Sequence, residues 1–271
     1  MLSKSTIKMI TSLQNKKDRD EHQLFFAEGE KIVDEILSGR NISEFRPRIH
    51  SIYCTEDYYL DRQKWFLNLD FGPNILTPEE LKKISALTTP QKVLAIMEMP
   101  DQDYNLNLEI ALFPATDEND LILLLDHIQD PGNIGTIIRI AEWFDIKTIC
   151  CSMNTADVYN PKVVQSSMGS LFRTDIYYTD LIELLETNNR VDKKEKRLVY
   201  GTFPDGIDIY EEKLDSQAFV IIGNESKGIS TPLEKFITTK LSIPRFTTQP
   251  IDSLNAAIAT AIVCSEFRRR W

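Results

Sequence analysis

Residues 121–151 read LILLLDHIQDPGNIGTIIRIAEWFDIKTICC. The opening five are apolar without a break, the length and character of a strand buried on both faces. Asp130-Pro131-Gly132-Asn133 then punctuates the chain as turn residues do. Ile134, Ile137, Ile138, Ala141 and Phe144 recur at helical spacing, and KTICC (147–151) returns to strand character. Strand, turn, helix, strand is one unit of a parallel sheet.

The same rhythm continues downstream. The pattern predicts a helix over 161–169, a strand near 175–178 and a helix over 180–189. Strands follow in RLVYGTF (197–203), in AFVIIGN (218–224) and in a run ending at Pro244. The last helix, SLNAAIATAIVCSEF, sets Leu254, Ala257, Ile258, Ala261 and Ile262 on one face, with Ser253 or Asp252 as its N-cap. Residues 120–271 are therefore expected to form an α/β domain on a parallel sheet, with ligands beyond the carboxyl ends of its strands. Upstream lies EMPDQDYNLNLEIALFPATDEND (98–120), acidic and carrying two prolines, which places a linker at 106–119. Residues 1–105 read as a smaller α/β domain, with helices over 5–14 and 29–38 and strands at 51–55 and 93–99. A further helix starts at Pro78, with Thr77 as its N-cap.

Composition narrows the function classes. The 271-residue chain is 42 % hydrophobic and 27 % charged, near the globular norm. No apolar run approaches the roughly 20 residues that span a bilayer, so no membrane partner is expected. The first residues lack the apolar core of a signal peptide. Cys54, Cys150, Cys151 and Cys264 form no C-x-x-C, and His22, His50 and His127 do not cluster, which predicts no metal site and reduced thiols in the cytoplasm. A net charge of −10 is the wrong sign for a protein gripping nucleic acid over its whole surface. Basic patches are confined to residues 1–48, where Lys and Arg slightly outnumber Asp and Glu, and to Arg268-Arg269-Arg270.

Three segments fall at the predicted strand ends. The first joins Asp126 to a helix start whose free N–H groups suit an anion. Arg139 lies six residues beyond Asn133 and leans back towards that start, although an ion pair with Glu142 would equally occupy it. The second, Gly223-Asn224-Glu225-Ser226-Lys227-Gly228, is no P-loop, because Lys227 precedes the second glycine and Ile229 follows it. The third runs from Leu241-Ser242-Ile243-Pro244 to Ser253-Leu254-Asn255.

In order and spacing these segments resemble the three signature motifs of the SpoU (TrmH) family of RNA ribose 2′-O-methyltransferases. Asp126, Asp130, Pro131, Asn133, Gly135, Arg139 and Ala141 match the first motif. Gly223, Glu225 and Gly228 match the second, and Ile243, Pro244, Ser253, Leu254 and Asn255 the third. Asn160-Pro161-Lys162 with Ser167-Met168-Gly169 adds a fourth likeness. Lys16-Lys17-Asp18-Arg19 followed by Phe25 to Gly29 is similar to the L30e-like substrate-binding domain that many members carry.

The resemblance implies a SPOUT-type catalytic domain with a deep trefoil knot, where periodicity alone draws a Rossmann-like strand order. It also implies S-adenosylmethionine (AdoMet) as cofactor, held by Thr202, Gly223, Asn224, Gly228, Ile243, Pro244, Ser253 and Leu254, and a homodimer built through the knotted domain. Arg139, Asn133, Glu225, Ser253 and Asn255 would form the catalytic set. Arg139 is expected to hold the target phosphate and steady the developing alkoxide, since a guanidinium stays protonated. RNA is the expected substrate, rRNA in preference to tRNA. The rival readings are a non-catalytic RNA-binding or ribosome-assembly protein on the same fold, and a nicotinamide dehydrogenase, which lacks G-x-G-x-x-G here. Arg245-Phe246-Thr247-Thr248 departs from the family pattern of a Met and a nearby Gly after Ile-Pro. Gln165 stands where the family often has arginine.

Overall fold

The computed structural model describes residues 2–38, 47–67, 69–100, 120–193, 195–247 and 253–269, and the expected linker at 106–119 lies outside them. The upstream elements are α1 (Lys4–Ser12), α2 (Lys16–His22), β1 (Leu24–Glu28), α3 (Glu30–Leu37), β2 (Arg48–Cys54), α4 (Glu56–Asp61), α5 (Gln63–Phe66), β3 (Asn74–Ile75), α6 (Pro78–Lys82) and β4 (Val93–Glu98). Downstream follow β5 (Leu121–Leu125), α7 (Pro131–Trp143), β6 (Thr148–Ser152), α8 (Pro161–Ser167), β7 (Asp175–Thr179) and α9 (Leu181–Arg190). The chain then gives β8 (Leu198–Asp208), β9 (Ala218–Ile222), α10 (Thr231–Glu234), β10 (Thr239–Ser242) and α11 (Ala256–Arg269).

Two compact units result. Residues up to 102 combine with 157–173 in the first; the remainder forms the second. The first unit carries a four-stranded sheet in the order β1-β4-β2-β3, antiparallel except for β2 with β3. Its core gathers Ile10 and Leu13 at the C-terminal end of α1, with Phe26, Tyr53, Leu81, Leu94 and Ile96. Two buried charges brace it. Arg19, 1 % exposed, donates to Asp157 at 2.6 Å and to the carbonyls of Leu13 and Gln14 at 2.9 Å. Glu28 accepts the Ala86 N–H at 3.0 Å and the Ser85 hydroxyl, and burial pushes its carboxyl above the ordinary value.

The second unit is a six-stranded, wholly parallel sheet in the order β10-β8-β9-β5-β6-β7. A Rossmann-like order would set β8 beside β5. Here β9 takes that place and β8 lies beyond it, so the two are exchanged. Ile122 and Leu124 of β5, Phe219 and Ile221 of β9 and Cys150 of β6 pack with Leu181, Leu184 and Leu185 of α9. On another side α7 packs with α11 and β6. The register of β10 on β8 jumps from Lys240 opposite Gly201 to Leu241 opposite Ile207, so residues 202–206 are set aside from the ladder. A Cβ on Gly206 would stand 2.5 Å from the Leu241 carbonyl carbon, and only glycine admits so close an approach.

Candidate functional site

The order of the second sheet reverses at β5, which continues to β6 on one side and adjoins β9 on the other. Such a switch point opens a crevice beyond the strand ends. The residues leaving β5 and β9 there are Asp126 and Gly223.

Asp126 is buried, and its two carboxylate oxygens reach different neighbours. Oδ2 accepts the Ser230 N–H at 2.7 Å, and Oδ1 lies 2.6 Å from the His127 Nδ1. Four residues on, the Asp130 side chain caps α7 by accepting the Asn133 N–H at 2.9 Å, with Pro131 in the first turn. The helix therefore begins at Pro131, slightly earlier than its apolar periodicity indicates. This capping fixes Asn133 at the head of the helix.

From that position the Asn133 side chain uses both ends of its amide. Nδ2 donates to Glu225 Oε1 at 2.6 Å, and Oδ1 accepts from Asn255 Nδ2 at 2.9 Å. The Ser253 hydroxyl adds a bond to the Glu225 carbonyl at 3.3 Å. Asn133, Glu225, Ser253 and Asn255 thus meet at one place, though they come from three separate strand ends.

The Glu225 loop is itself closed. The Asn224 N–H donates to the Gly228 carbonyl at 3.0 Å and the Gly228 N–H returns to Asn224 at 2.9 Å. The Asn224 Oδ1 accepts the N–H groups of Ser226 and Lys227, each at 3.0 Å. A Cβ on Gly223 would lie 2.4 Å from the Gly228 carbonyl carbon, so a side chain there would wedge the loop apart. Gly228, at φ +69°, has nothing within 4 Å of its Cβ position.

The third segment corrects one expectation. Ser253 does not cap the last helix. Asn255 does, its Oδ1 accepting the N–H groups of Ala257 at 3.0 Å and Ile258 at 3.2 Å. The Ser253 hydroxyl is committed to Glu225, and Asp252 lies outside the described residues. The helix accordingly begins at Ala256.

Arg139 is exposed on α7 and makes no hydrogen bond or ion pair among the described residues, so the pairing with Glu142 is not formed. Thr202 donates to the Ile221 carbonyl at 3.3 Å. Ile243 and Pro244 are half-buried, whereas Leu254 is 46 % exposed. Among the described residues, Thr202, Ile243, Pro244 and Leu254 make no hydrogen bond to Asn133, Glu225 or Asn255. Among the described residues no group of three or more His, Cys, Asp or Glu gathers as metal ligands do.

Sequence reasoning passed over His127 as an unclustered histidine. The structure sets it against Asp126, Ser152, Asn154 and Asn224. Its place immediately after Asp126 was the available signal.

Residues 120–265 match the model of the SpoU rRNA Methylase family, and residues 4–95 match the MRM3-like substrate binding domain. The 23S rRNA (guanosine(2553)-2′-O)-methyltransferase RlmP of Bacillus subtilis is 29 % identical over 94 % of this chain and 93 % of its own. A solved structure from Porphyromonas gingivalis, assigned to the TrmH family of RNA methyltransferases, is 35 % identical with a TM-score of 0.79. Both chains are covered completely. The AdoMet-bound rRNA methyltransferase of Sinorhizobium meliloti is 26 % identical with a TM-score of 0.82, over 100 % of this chain and 96 % of that one. The chain belongs to the SpoU rRNA methylase family.

Proposed function

We propose that the chain is an AdoMet-dependent RNA methyltransferase that transfers a methyl group to a ribose 2′-hydroxyl of rRNA. One observation carries the reading: Asn133 stands between Glu225 and Asn255, tying three strand-end segments into a single site. The B. subtilis relative, similar along nearly the whole chain, is named for this reaction on rRNA and favours rRNA over tRNA.

The residues present fit the cofactor. Half-buried Ile243 and Pro244 with exposed Leu254 offer apolar surface, and the Gly223–Gly228 loop offers backbone groups. Open space stands beside Gly228. Thr202, Gly223, Asn224, Gly228, Ile243, Pro244, Ser253 and Leu254 would hold AdoMet. When bound, AdoMet supplies an activated methyl group on a sulfonium.

The chain's own residues then have to align and neutralise. Arg139 has its guanidinium free to grip the phosphate beside the target ribose and to stabilise negative charge on the 2′-oxygen as its proton leaves. Asn133, held from both sides, fixes the head of the helix that carries Arg139. Glu225, Ser253 and Asn255 hold the loops in mutual register, which serves the alignment that an in-line transfer demands.

Several finer features belong to this proposal. The close approach of Gly206 to Leu241 and the register jump of β10 support a chain threaded as a deep trefoil knot. The first unit serves as an L30e-like RNA-binding domain, supported by the substrate-binding match over 4–95. The protein works as a homodimer through the second unit. Exposed Ile258 and Tyr210 support this, as does the cavity of about 300 Å³ lined by Tyr210, Ala261, Ile262, Ser265 and Glu266. It acts in the cytoplasm, where its four free, buried cysteines remain reduced.

The test is to map ribose methylation in total RNA with and without the gene, and to repeat it with purified protein, AdoMet and ribosomal RNA. Loss of one 2′-O-methyl in rRNA on deletion, restored in vitro, is the expected result. Unchanged rRNA with a lost tRNA methyl would move the substrate to tRNA. Binding of RNA without any methyl transfer would leave a non-catalytic factor.

A further inference from the structure

His127 has a backbone that only glycine adopts freely, with φ at 56°. Nothing in the turn obliges a histidine there, and every polar group of the residue is engaged. Its N–H donates to the Ser152 Oγ at 2.9 Å, and its carbonyl accepts from the Asn224 Nδ2 at 2.8 Å. The imidazole Nδ1 sits 2.6 Å from the Asp126 carboxylate, and Nε2 sits 3.1 Å from the Asn154 Nδ2.

The imidazole is thus clamped at both ends, Nδ1 against the Asp126 carboxylate and Nε2 against the Asn154 amide. Asp126 is in turn held by the Ser230 N–H, and Ser152 by the Thr155 hydroxyl at 3.0 Å. These contacts connect the ends of β5, β6 and β9.

The clamp has a consequence for the Glu225 loop. The left-handed backbone at 127 aims the carbonyl at the Asn224 side chain. The other end of that same side chain accepts the N–H groups of Ser226 and Lys227. We infer that His127 is a positioning residue: its imidazole, wedged between Asp126 and Asn154, holds the backbone in the conformation that locks the Asn224–Gly228 loop for cofactor. The link to cofactor rests on the function proposed above; the link to the loop does not.

The experiment compares wild type with His127→Gly, Asn154→Ala and the double variant. Glycine keeps the left-handed backbone accessible without the clamp, so the fold survives and Tm stays close to wild type. Hydrogen exchange of the unliganded proteins is read first. In His127→Gly the amides of Asn224 and Gly228 lose at least about tenfold in protection while β5 and β9 keep theirs. AdoMet affinity by calorimetry then weakens about tenfold. The double variant is no weaker than His127→Gly alone, because both residues act through one chain of contacts.

Unchanged loop protection in His127→Gly overturns the inference, as does an AdoMet affinity equal to that of wild type. A wild-type protein that takes up no AdoMet, yet loses loop protection on the His127→Gly change, keeps the clamp and defeats the functional reading instead. Loss of protection across β5 and β9 would make His127 a general stabilising residue and overturns the inference also.

Discussion

At the scale of single residues, Arg139 and Asn133 divide the work differently. Arg139 is exposed and bonded to nothing among the described residues, so its removal leaves no orphaned partner. Arg139→Ala is therefore expected to keep Tm and AdoMet affinity while lowering methyl transfer at least about a hundredfold. Melting, calorimetry and single-turnover methylation read these three quantities, and near wild-type turnover would remove the arginine from the mechanism. Asn133 is the opposite case, with its amide nitrogen 2.6 Å from the Glu225 carboxylate. Asn133→Asp would set two carboxylates at that distance, and like charges there repel. A lower Tm at neutral pH, recovered as the pH falls towards protonation of the pair, is the expected signature. The residues of both were legible in the chain, because turn chemistry and motif spacing marked them. Their division of labour was not, since spacing carries no information on whether a guanidinium finds Glu142.

Among elements, those with strong periodicity were readable and those held by tertiary contacts were not. The five apolar residues of β5 and the apolar stripe of α7 announce themselves. The segment KKDRDEH of α2 has no apolar stripe at all, and it is a helix whose one buried residue is Arg19, pinned to Asp157. No local pattern could reveal a partner 138 residues away. The start of α11 was misplaced for a related reason. Ser253 is a good capping residue by type, but Glu225 claims its hydroxyl and the cap passes to Asn255. The cap of α6 is the converse, a local signal obeyed. Thr77 accepts the Glu80 N–H at 3.3 Å, and the Glu80 carboxylate accepts the Thr77 N–H at 3.2 Å. Thr77→Ala is expected to cost about 1 kcal/mol in denaturant unfolding. The Thr77 N–H holds the Glu80 carboxyl below its ordinary value. A carboxyl lowered on folding stabilises above its unfolded pKa and loses that contribution as pH falls through the lowered value. The difference between wild type and Glu80→Ala, which removes that carboxyl, should accordingly persist at neutral pH and shrink in acid; a difference that grew in acid would contradict the capping box.

For the whole molecule, the alternation of strands and helices gave the layers, and the order of strands escaped it. Exchanging β8 with β9 changes no residue's periodicity, since the buried start of β8 at Val199–Gly201 and the whole of β9 read alike as buried strand. That exchange nevertheless puts β9 beside β5 and so brings Glu225 to Asn133. Motif resemblance marked the segments that meet there but gave no order of strands. Assembly of copies presents a similar problem, because an apolar face reads alike whether a core or a neighbour covers it. The residues of α11 that sequence grouped on one face divide in the structure. Ala257 is 4 % exposed, while Ile258 remains 54 % exposed. Tyr210, 49 % exposed, and Ala261 and Ile262 line the adjacent cavity. If the second unit dimerises through this face, Ile258→Arg places a charge where apolar surface must be desolvated, and the pair should separate. Light scattering coupled to gel filtration is expected to return a dimer for wild type and a monomer of 31.2 kDa for the variant, with the fold intact by circular dichroism. A variant that stays dimeric assigns the interface to another surface, and a monomeric wild type removes the dimer from the functional proposal.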